Sequence, residues 1–384
     1  MMLTRRCFLE KAGIAAAVGA AAAVLEPPRI HAATAGHAPA LAQPEQEAIA
    51  AIAREFMERL KVPGMSVAIA KQGKFVLEQG FGVADVETKE AVTPEHLFRI
   101  ASVSKPFTSA AIFSLVEQGR LRLEDFVFGD KGRLGFDFGK AVPEQVQEIT
   151  VHHLLTHTSG GWTNKGADPM FLNPAMNHRE LIEWAIKNQP LSNKPGTAYA
   201  YSNFGYCILG RLLEKLTGLP YVQAVQREVL AKCGITTMRI GGDTLAERAQ
   251  KEVAYSSNGI GAPYGMKVAR MDSHGGWIAS ASDLVRFAMR VDGFPNPPDI
   301  LRADTIKTMT TPIAASGAYA CGWSVNKVPN WWHNGSLPGT SSIMVRTARG
   351  LCWAGLVNIR GEGIGGALDE MMWKIARAVP AWRA

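Results

Sequence analysis

Strand-like segments occupy both ends of this 384-residue chain and helix-like segments fill its middle, an order that few folds accommodate. Residues 65–70 and 74–82 are strand-like runs on either side of Gln72-Gly73, and read as a hairpin. Strand-like runs return only near the end, at 320–328, 340–347 and 351–359. Between them the pattern predicts helices joined by long loops, at 102–119, 150–156, 178–188, 203–217, 221–232 and 281–291. Two amphipathic helices bracket the set. One, at 44–60, places Ile49, Ile52, Ala53, Phe56 and Leu60 on one face; the other, at 364–379, aligns Leu368, Met371, Met372, Ile375 and Val379. Strands so far apart in sequence form one sheet only if the chain returns to it. The expectation is therefore an α/β (α+β) protein with a split lobe from about 44–100 and 296–384 and a mainly helical lobe inserted over about 101–295. Two lobes also suit a length beyond what one core usually serves, and clefts between lobes commonly hold active sites.

The junction between the first strands and the helices carries Ser102-Val103-Ser104-Lys105. Positions i and i+3 share a helix face, so the Lys105 amine can lie beside the Ser102 hydroxyl. A serine hydroxyl is a poor nucleophile until a neighbouring base takes its proton, and an unprotonated lysine can be that base. Pro106 fits only a helix that has just begun, which places Ser102 at a helix N-terminus, where N–H groups favour developing negative charge. The pattern alone is weak: about one or two S-x-x-K matches are expected by chance at this length, and a capping serine is the plain alternative. Ser324-Val325-Asn326-Lys327 also matches, but it lies in the 320–328 run, where a spacing of three puts side chains on opposite faces.

Two further motifs supply partners. Tyr201-Ser202-Asn203 follows the turn signal Lys194-Pro195-Gly196-Thr197 and precedes the 203–217 helix. A tyrosine beside a lysine ammonium is expected to have its pKa lowered and to serve as base or proton shuttle. Asn203 offers a donor and an acceptor to a substrate amide. A core aromatic followed by a helix cap is the alternative. His333-Asn334-Gly335-Ser336 follows Trp331-Trp332, and the glycine lets a substrate lie close to the strand backbone. The N–H of Ser336 can then pair with that of Ser102 as an oxyanion hole. His274-Gly275-Gly276 reads instead as a glycine turn. His153 and His157 stand four apart but lack the glutamate of H-E-x-x-H and a third ligand, so structural histidines are expected and neither a metal nor a cofactor is.

The N-terminus reads as a targeting segment: Thr4-Arg5-Arg6-Cys7-Phe8-Leu9 is a twin-arginine signal ahead of a short apolar run at 12–25. Ala33-Thr34-Ala35 is the preferred cleavage site, with Ile30-His31-Ala32 close behind, which makes 1–35 a signal peptide and 36–43 a flexible leader. Export by this route places the mature protein in a bacterial periplasm or outside the cell, with no stable membrane span after cleavage. Residues 1–35 hold four Lys/Arg and two Asp/Glu, so the net charge falls from +7 to +5 without them. That charge is mild and unclustered, which points away from nucleic acid. Of the cysteines, Cys207, Cys233, Cys321 and Cys352 follow the signal. No C-x-x-C spacing occurs, and either a Cys321–Cys352 pair or buried free thiols fits.

Ser102-x-x-Lys105, Tyr201-x-Asn203 and His333-x-Gly335, in that order and with Leu154-Leu155-Thr156-His157-Thr158-Ser159-Gly160 between the first two, resemble the serine β-lactamase and penicillin-binding-protein superfamily. The resemblance is to its class C-like branch of D,D-peptidases, D-aminopeptidases and esterases, the peptidase family S12 type, and covers about 45–380. It implies an antiparallel sheet flanked by the N- and C-terminal helices, plus a helical lobe, with the site between. It also implies that Ser102 forms an acyl-enzyme, that Lys105 and Tyr201 relay protons, and that Asn203, His333, Gly335 and Ser336 bind substrate. His333 stands where penicillinases and cephalosporinases of this branch carry the lysine of Lys-Thr-Gly. A mostly neutral histidine offers no fixed charge to a β-lactam carboxylate. The expected activity is therefore hydrolysis of a D-amino-acid peptide, an amide or a small ester, with poor β-lactam turnover. The alternatives are a true class C-like β-lactamase and a non-catalytic envelope protein that binds peptidoglycan fragments. Trp162, Trp331 and Trp332 are candidates for an apolar acyl pocket.

Overall fold

The computed structural model describes residues 41–166, 168–257 and 260–382, so the signal and most of the leader lie outside the described residues. Helix α1 (Gln43–Leu60) leads into the hairpin β1 (Gly64–Lys71) and β2 (Lys74–Asp85). Its turn uses Gln72 and Gly73, both with positive φ, at 48° and 77°. Two short strands follow, β3 (Glu90–Ala91) and β4 (Phe98–Arg99), before α2 (Ser104–Glu117). The middle of the chain carries α3 (Glu144–Gln147), α4 (Val151–Leu155), α5 (Pro169–Leu172), α6 (His178–Asn188), α7 (Asn203–Thr217) and α8 (Tyr221–Val225). Next come β5 (Arg239–Ile240), β6 (Trp277–Ala279), α9 (Ala281–Ala288) and α10 (Ala303–Met309). The chain closes with β7 (Ser324–Val325), β8 (Trp331–Leu337), β9 (Thr340–Arg346), β10 (Leu351–Val357) and α11 (Ile364–Ala378).

The strands form an antiparallel seven-stranded sheet in the order β3-β2-β1-β10-β9-β8-β7, beside a three-stranded sheet β4-β6-β5. The ends of the chain meet where β1 pairs with β10, from Met65 opposite Val357 to Lys71 opposite Leu351. Central strands are covered on both sides, and side-chain size sorts by face. Met65, Val67 and Ile69 pack with Trp353 and Val357 against α1 and α11, in a core that includes Phe56, Leu368 and Met372. The intervening Ala68 and Ala70, with Cys352 and Ala354, face the larger core that contains α9 and the other helices. Small residues there let α9 approach the sheet. Helix α2 is buried from Ser104 to Leu115, all the way round, so it forms the axis of the helical region rather than a surface helix.

Three expectations need correction. The 320–328 run is a strand only at Ser324–Val325. Gly322 turns at φ 84°, and Ala320 N–H bonds back to Trp323 O at 2.7 Å, so the chain enters late and leaves at once. Conversely β8 carries seven strand residues, Trp331–Leu337, outside the strand-like runs expected from sequence. The 221–232 helix is α8 followed by a π-helical turn and a 3₁₀ turn that stops at Gly234, φ 69°. All four described cysteines are buried free thiols; Cys352 faces Asp292 rather than Cys321.

Candidate active site

Ser102 lies in a 3₁₀ turn, Ala101–Val103, between β4 and α2. Three contacts fix that turn from outside. Ile100 N–H donates to Trp277 O at 3.0 Å, and the hydroxyls of Thr340 and Ser342 on β9 donate to the carbonyls of Arg99 and Ile100, each at 2.7 Å. They hold Ala101 at φ 48°, a left-handed conformation that costs an ordinary residue about 1–2 kcal/mol. Two hydroxyl bonds at about 1 kcal/mol each offset a strain of that size. Strand β8 comes so close that a Cβ on Gly335 would stand 2.2 Å from Ile100 O and 3.0 Å from Ala101 Cβ. The glycine therefore admits the turn that carries Ser102. Pro106 falls in the first turn of α2, as its missing N–H requires.

Lys105, fully buried, reaches back along this face. Its Nζ is 3.1 Å from Ser102 Oγ, 2.8 Å from Asn203 Oδ1 and 2.9 Å from His274 O. The last two atoms can only accept, so a neutral amine spends both N–H groups on them and keeps its lone pair for the Ser102 hydroxyl. Burial lowers the Lys105 pKa from 10.5 to about 7, against the opposing pull of the Asp168 carboxylate. The second S-x-x-K match has no such geometry: Ser324 sits on β7 and Lys327 is exposed.

Ser202 caps α7, accepting from Gly205 N–H at 3.0 Å, and this turns its neighbours Tyr201 and Asn203 inward. The Lys105 Nζ lies 4.8 Å from the Tyr201 ring centroid. The expected lowering of the tyrosine is reversed: burial pushes the phenol up, and hydrogen bonding with Ser102 brings it only partly back. Desolvation is the largest influence on the phenol and outweighs the hydrogen bond. Asn203 also has partners within the protein. Its Oδ1 is taken by Lys105 and its Nδ2 donates to Asn164 Oδ1 at 3.2 Å, so it orients the amine first.

His333 on β8 is 3% exposed, more enclosed than a cleft-facing residue. Its Nδ1 lies 2.7 Å from the Asn334 carbonyl, which can only accept, so the proton sits on Nδ1 and Nε2 accepts from the Tyr319 hydroxyl at 3.0 Å. Burial and the Lys105 charge push its pKa down to about 3. The ring is thus neutral and adds no cation to the site. Strand β7 pairs with β8 only at Trp331 and Trp332, and Ser336, exposed, stands beyond that pairing. The tryptophans do not form one pocket. Trp332 packs with the α1–α11 core on the opposite face, Trp331 lies under the Arg346 guanidinium at 3.7 Å, and buried Trp162 donates to Gln189 O at 3.1 Å.

The two histidines of the 153/157 pair have separate duties. His153 Nδ1 accepts from Thr150 N–H at the start of α4. His157 lies beyond the end of that helix at φ 57°, accepts from Ser202 N–H at 3.2 Å, and packs among Tyr201, Tyr206 and Tyr319. Among the described residues no group of three or more His, Cys, Asp or Glu is placed to hold a metal ion. Sequence reading missed Asp168, Asn164, Ser342 and Tyr319, and the role of the His274 carbonyl, because each acts by contact across more than ten residues of chain. The His274-Gly275-Gly276 turn itself is present, with Gly275 and Gly276 N–H both donating to Met271 O.

An antiparallel sheet backed by the two terminal helices, with a serine–lysine turn on its other face, defines the serine β-lactamase and penicillin-binding-protein superfamily. The chain belongs to the beta-lactamase family, whose model matches residues 49–375. It is similar to Protein flp of Staphylococcus aureus (strain N315), 26% identical over an alignment of 328 residues that covers 79% of this chain and 61% of that protein. It therefore spans about three fifths of the length of that relative. The octameric penicillin-binding protein homologue from Pyrococcus abyssi superposes with a TM-score of 0.69 at 26% identity, over 87% of this chain and 79% of that one. The D-amino acid amidase from Ochrobactrum anthropi SV3 shares the fold, with a TM-score of 0.71 at 21% identity over 88% and 99% of the two chains.

Proposed function

We propose that this chain is a serine hydrolase that acylates Ser102 and cleaves an amide, peptide or ester bond. The observation that carries the reading is the buried Lys105 amine, 3.1 Å from Ser102 Oγ, with its N–H groups committed to Asn203 and His274. Neutral Lys105 takes the Ser102 proton as Oγ bonds to the substrate carbonyl carbon, and the carbonyl oxygen becomes an oxyanion facing the N–H groups of Ser102 and Ser336. Collapse breaks the bond to the leaving group, which departs with a proton relayed from Lys105 through Tyr201. A water molecule then attacks the acyl ester by the same steps in reverse and frees Ser102. Tyr201 relays as a neutral phenol, since burial keeps it from ionising.

The favoured substrates are D-amino-acid peptides or amides and small esters, including peptidoglycan fragments, with β-lactams turned over poorly. Neutral His333 offers no charge for a β-lactam carboxylate. A cavity of about 470 Å³ beside Tyr199 and Tyr319, lined by Ala314, Ala315, Gly317 and Ala318, carries no charged side chain and suits a neutral substituent. Among the described residues no helix is long and apolar enough to cross a membrane. Export ahead of catalysis rests on Arg5-Arg6, and changing both to lysine should trap precursor in the cytoplasm; normal periplasmic accumulation would refute that route.

The deciding experiment is fluorophosphonate labelling followed by mass mapping. One adduct on Ser102, lost with turnover in Ser102→Ala, is the expected result. An adduct on Ser324, or activity surviving in Ser102→Ala, would overturn the assignment, and a wild-type protein that never labels would favour a peptidoglycan binder.

A further inference from the structure

Asp168 is 3% exposed and sits at the base of the site without touching Ser102. Its carboxylate bonds two segments at once. Oδ2 accepts from Asn203 N–H at 2.7 Å, at the first residue of α7, and Oδ1 accepts from Met170 N–H at 3.0 Å, capping α5. The neighbouring Asn164 completes the same clamp: its N–H donates to Tyr201 O at 2.6 Å and its Oδ1 accepts from Asn203 Nδ2. Asn164 and Asp168 thus grip Tyr201 and Asn203 by their backbone, while Asn203 Oδ1 holds Lys105.

We propose that Asp168 is a positioning residue that holds the Tyr201–Asn203 turn against Lys105 and, by its charge, sets the pH at which Lys105 becomes a base. This rests on Ser102 and Lys105 acting as nucleophile and base. One residue, Asn203, links the Asp168 carboxylate to the Lys105 amine by hydrogen bonds on either side. Asp168 faces Lys105 from α2 and Tyr201 and Cys207 from around α7; Lys105 also faces His157, His274 and His333, each kept neutral by burial. Burial raises Asp168 to about 6 while its two N–H donors and Lys105 pull it back, so it is charged when the lysine begins to lose its proton near 7. A negative charge there favours the ammonium. The base therefore becomes available at a higher pH than burial alone would set.

The test is Asp168→Asn, which keeps an oxygen for Asn203 N–H and removes the charge. Lys105 loses its anionic neighbour, its pKa falls, and the acid limb of the kcat/KM profile moves to lower pH by about half a unit or more. The alkaline plateau falls by about tenfold or less, and Asp168→Glu returns the limb toward wild type. A plateau loss with the limb unmoved would show a structural role only and overturn the proposal, as would a variant with wild-type kinetics throughout. A substrate-free readout separates this from failure of the catalytic reading. Lys105 titrated by NMR of ¹³Cε-lysine-labelled protein, assigned with Lys105→Arg, should show the same downward shift in Asp168→Asn whether or not a substrate is known. An unshifted resonance refutes the proposal even if Ser102 labels as expected. Should Asp168→Asn fail to fold, Asp168→Ser, which also keeps an oxygen and removes the charge, takes its place: a downward shift of that resonance is expected, and an unshifted one refutes the proposal.

Discussion

Gly335→Ala isolates the contact between β8 and the nucleophile turn. An alanine Cβ would be 2.2 Å from Ile100 O and 2.4 Å from Ser342 Oγ, where carbon and oxygen normally rest about 3.3 Å apart or more. One partner must therefore retreat by about 1 Å. The oxygen is main chain and holds the 2.7 Å bond from Ser342 that fixes the left-handed Ala101, so its retreat carries Ser102 with it. Overpacking of this kind costs about 1–3 kcal/mol of stability. A misplacement of about 1 Å at a reacting atom costs roughly 10²-fold in rate, or about 2.7 kcal/mol of barrier. The assay is the second-order rate of fluorophosphonate labelling together with kcat/KM on any responsive ester, beside thermal unfolding. Gly365→Ala is the control, since nothing stands within 4 Å of its Cβ and it lies in α11. A Gly335→Ala protein that labels and melts like wild type would refute the packing argument.

The pH profile of kcat/KM should rise through about 7 as Lys105 loses its proton, with no tyrosine limb below about pH 10; a flat profile from pH 5 to 9 would show that Lys105 is not the base. Because the folded lysine binds fewer protons than the unfolded one between about 7 and 10.5, its contribution makes stability rise with pH across that window. His333→Ala should lower kcat/KM by about one to three decades, roughly 1.4–4 kcal/mol, and also lower the melting temperature, because the ring is buried and Tyr319 loses its acceptor. His333→Lys should raise nitrocefin turnover relative to the best amide or ester only if the buried position tolerates the ammonium; wild-type nitrocefin hydrolysis near the diffusion limit would end the argument from the missing lysine. Activity should survive exhaustive chelation, with His153→Ala affecting stability through the α4 start rather than rate; loss to chelator with recovery on zinc would count against this.

What could be read in the sequence was local. Ser102 and Lys105 lie three apart on one turn, the Gln72-Gly73 hairpin needs two positive φ values, and α6 and α11 carry their faces in their own periodicity. What could not be read depends on distant partners. Strand β8 escaped because its polar Asn334 and Ser336 lie at a sheet border that another strand covers only at Trp331 and Trp332. Asp168 escaped because Asp-Pro reads as a helix start, which it also is. The environment of Tyr201 escaped because charge spacing is visible in a sequence and desolvation is not. The buried His333 escaped for the same reason: its acceptor role needs Tyr319, fourteen residues earlier and across the short β7 turn.

The hydroxyls that pin the nucleophile turn come from Thr340 and Ser342, more than 240 residues after the carbonyls they hold. A ribosome emitting this chain releases Ser102 and Lys105 long before either pin exists. The helices between, apart from α9, can pack early, since they pack mainly on one another, but Ala101 has nothing to keep it left-handed until β9 arrives, and β1 has no inner neighbour until β10 does. The Ser102 turn is therefore expected to be completed last, by the closing of a long loop, which is a slow and late event in folding. On the proposed function, the nascent chain is expected to be inert toward esters until β9 and β10 are in place. A chain released at residue 330 should contain an intact Ser102-x-x-Lys105 and still fail to react with fluorophosphonate.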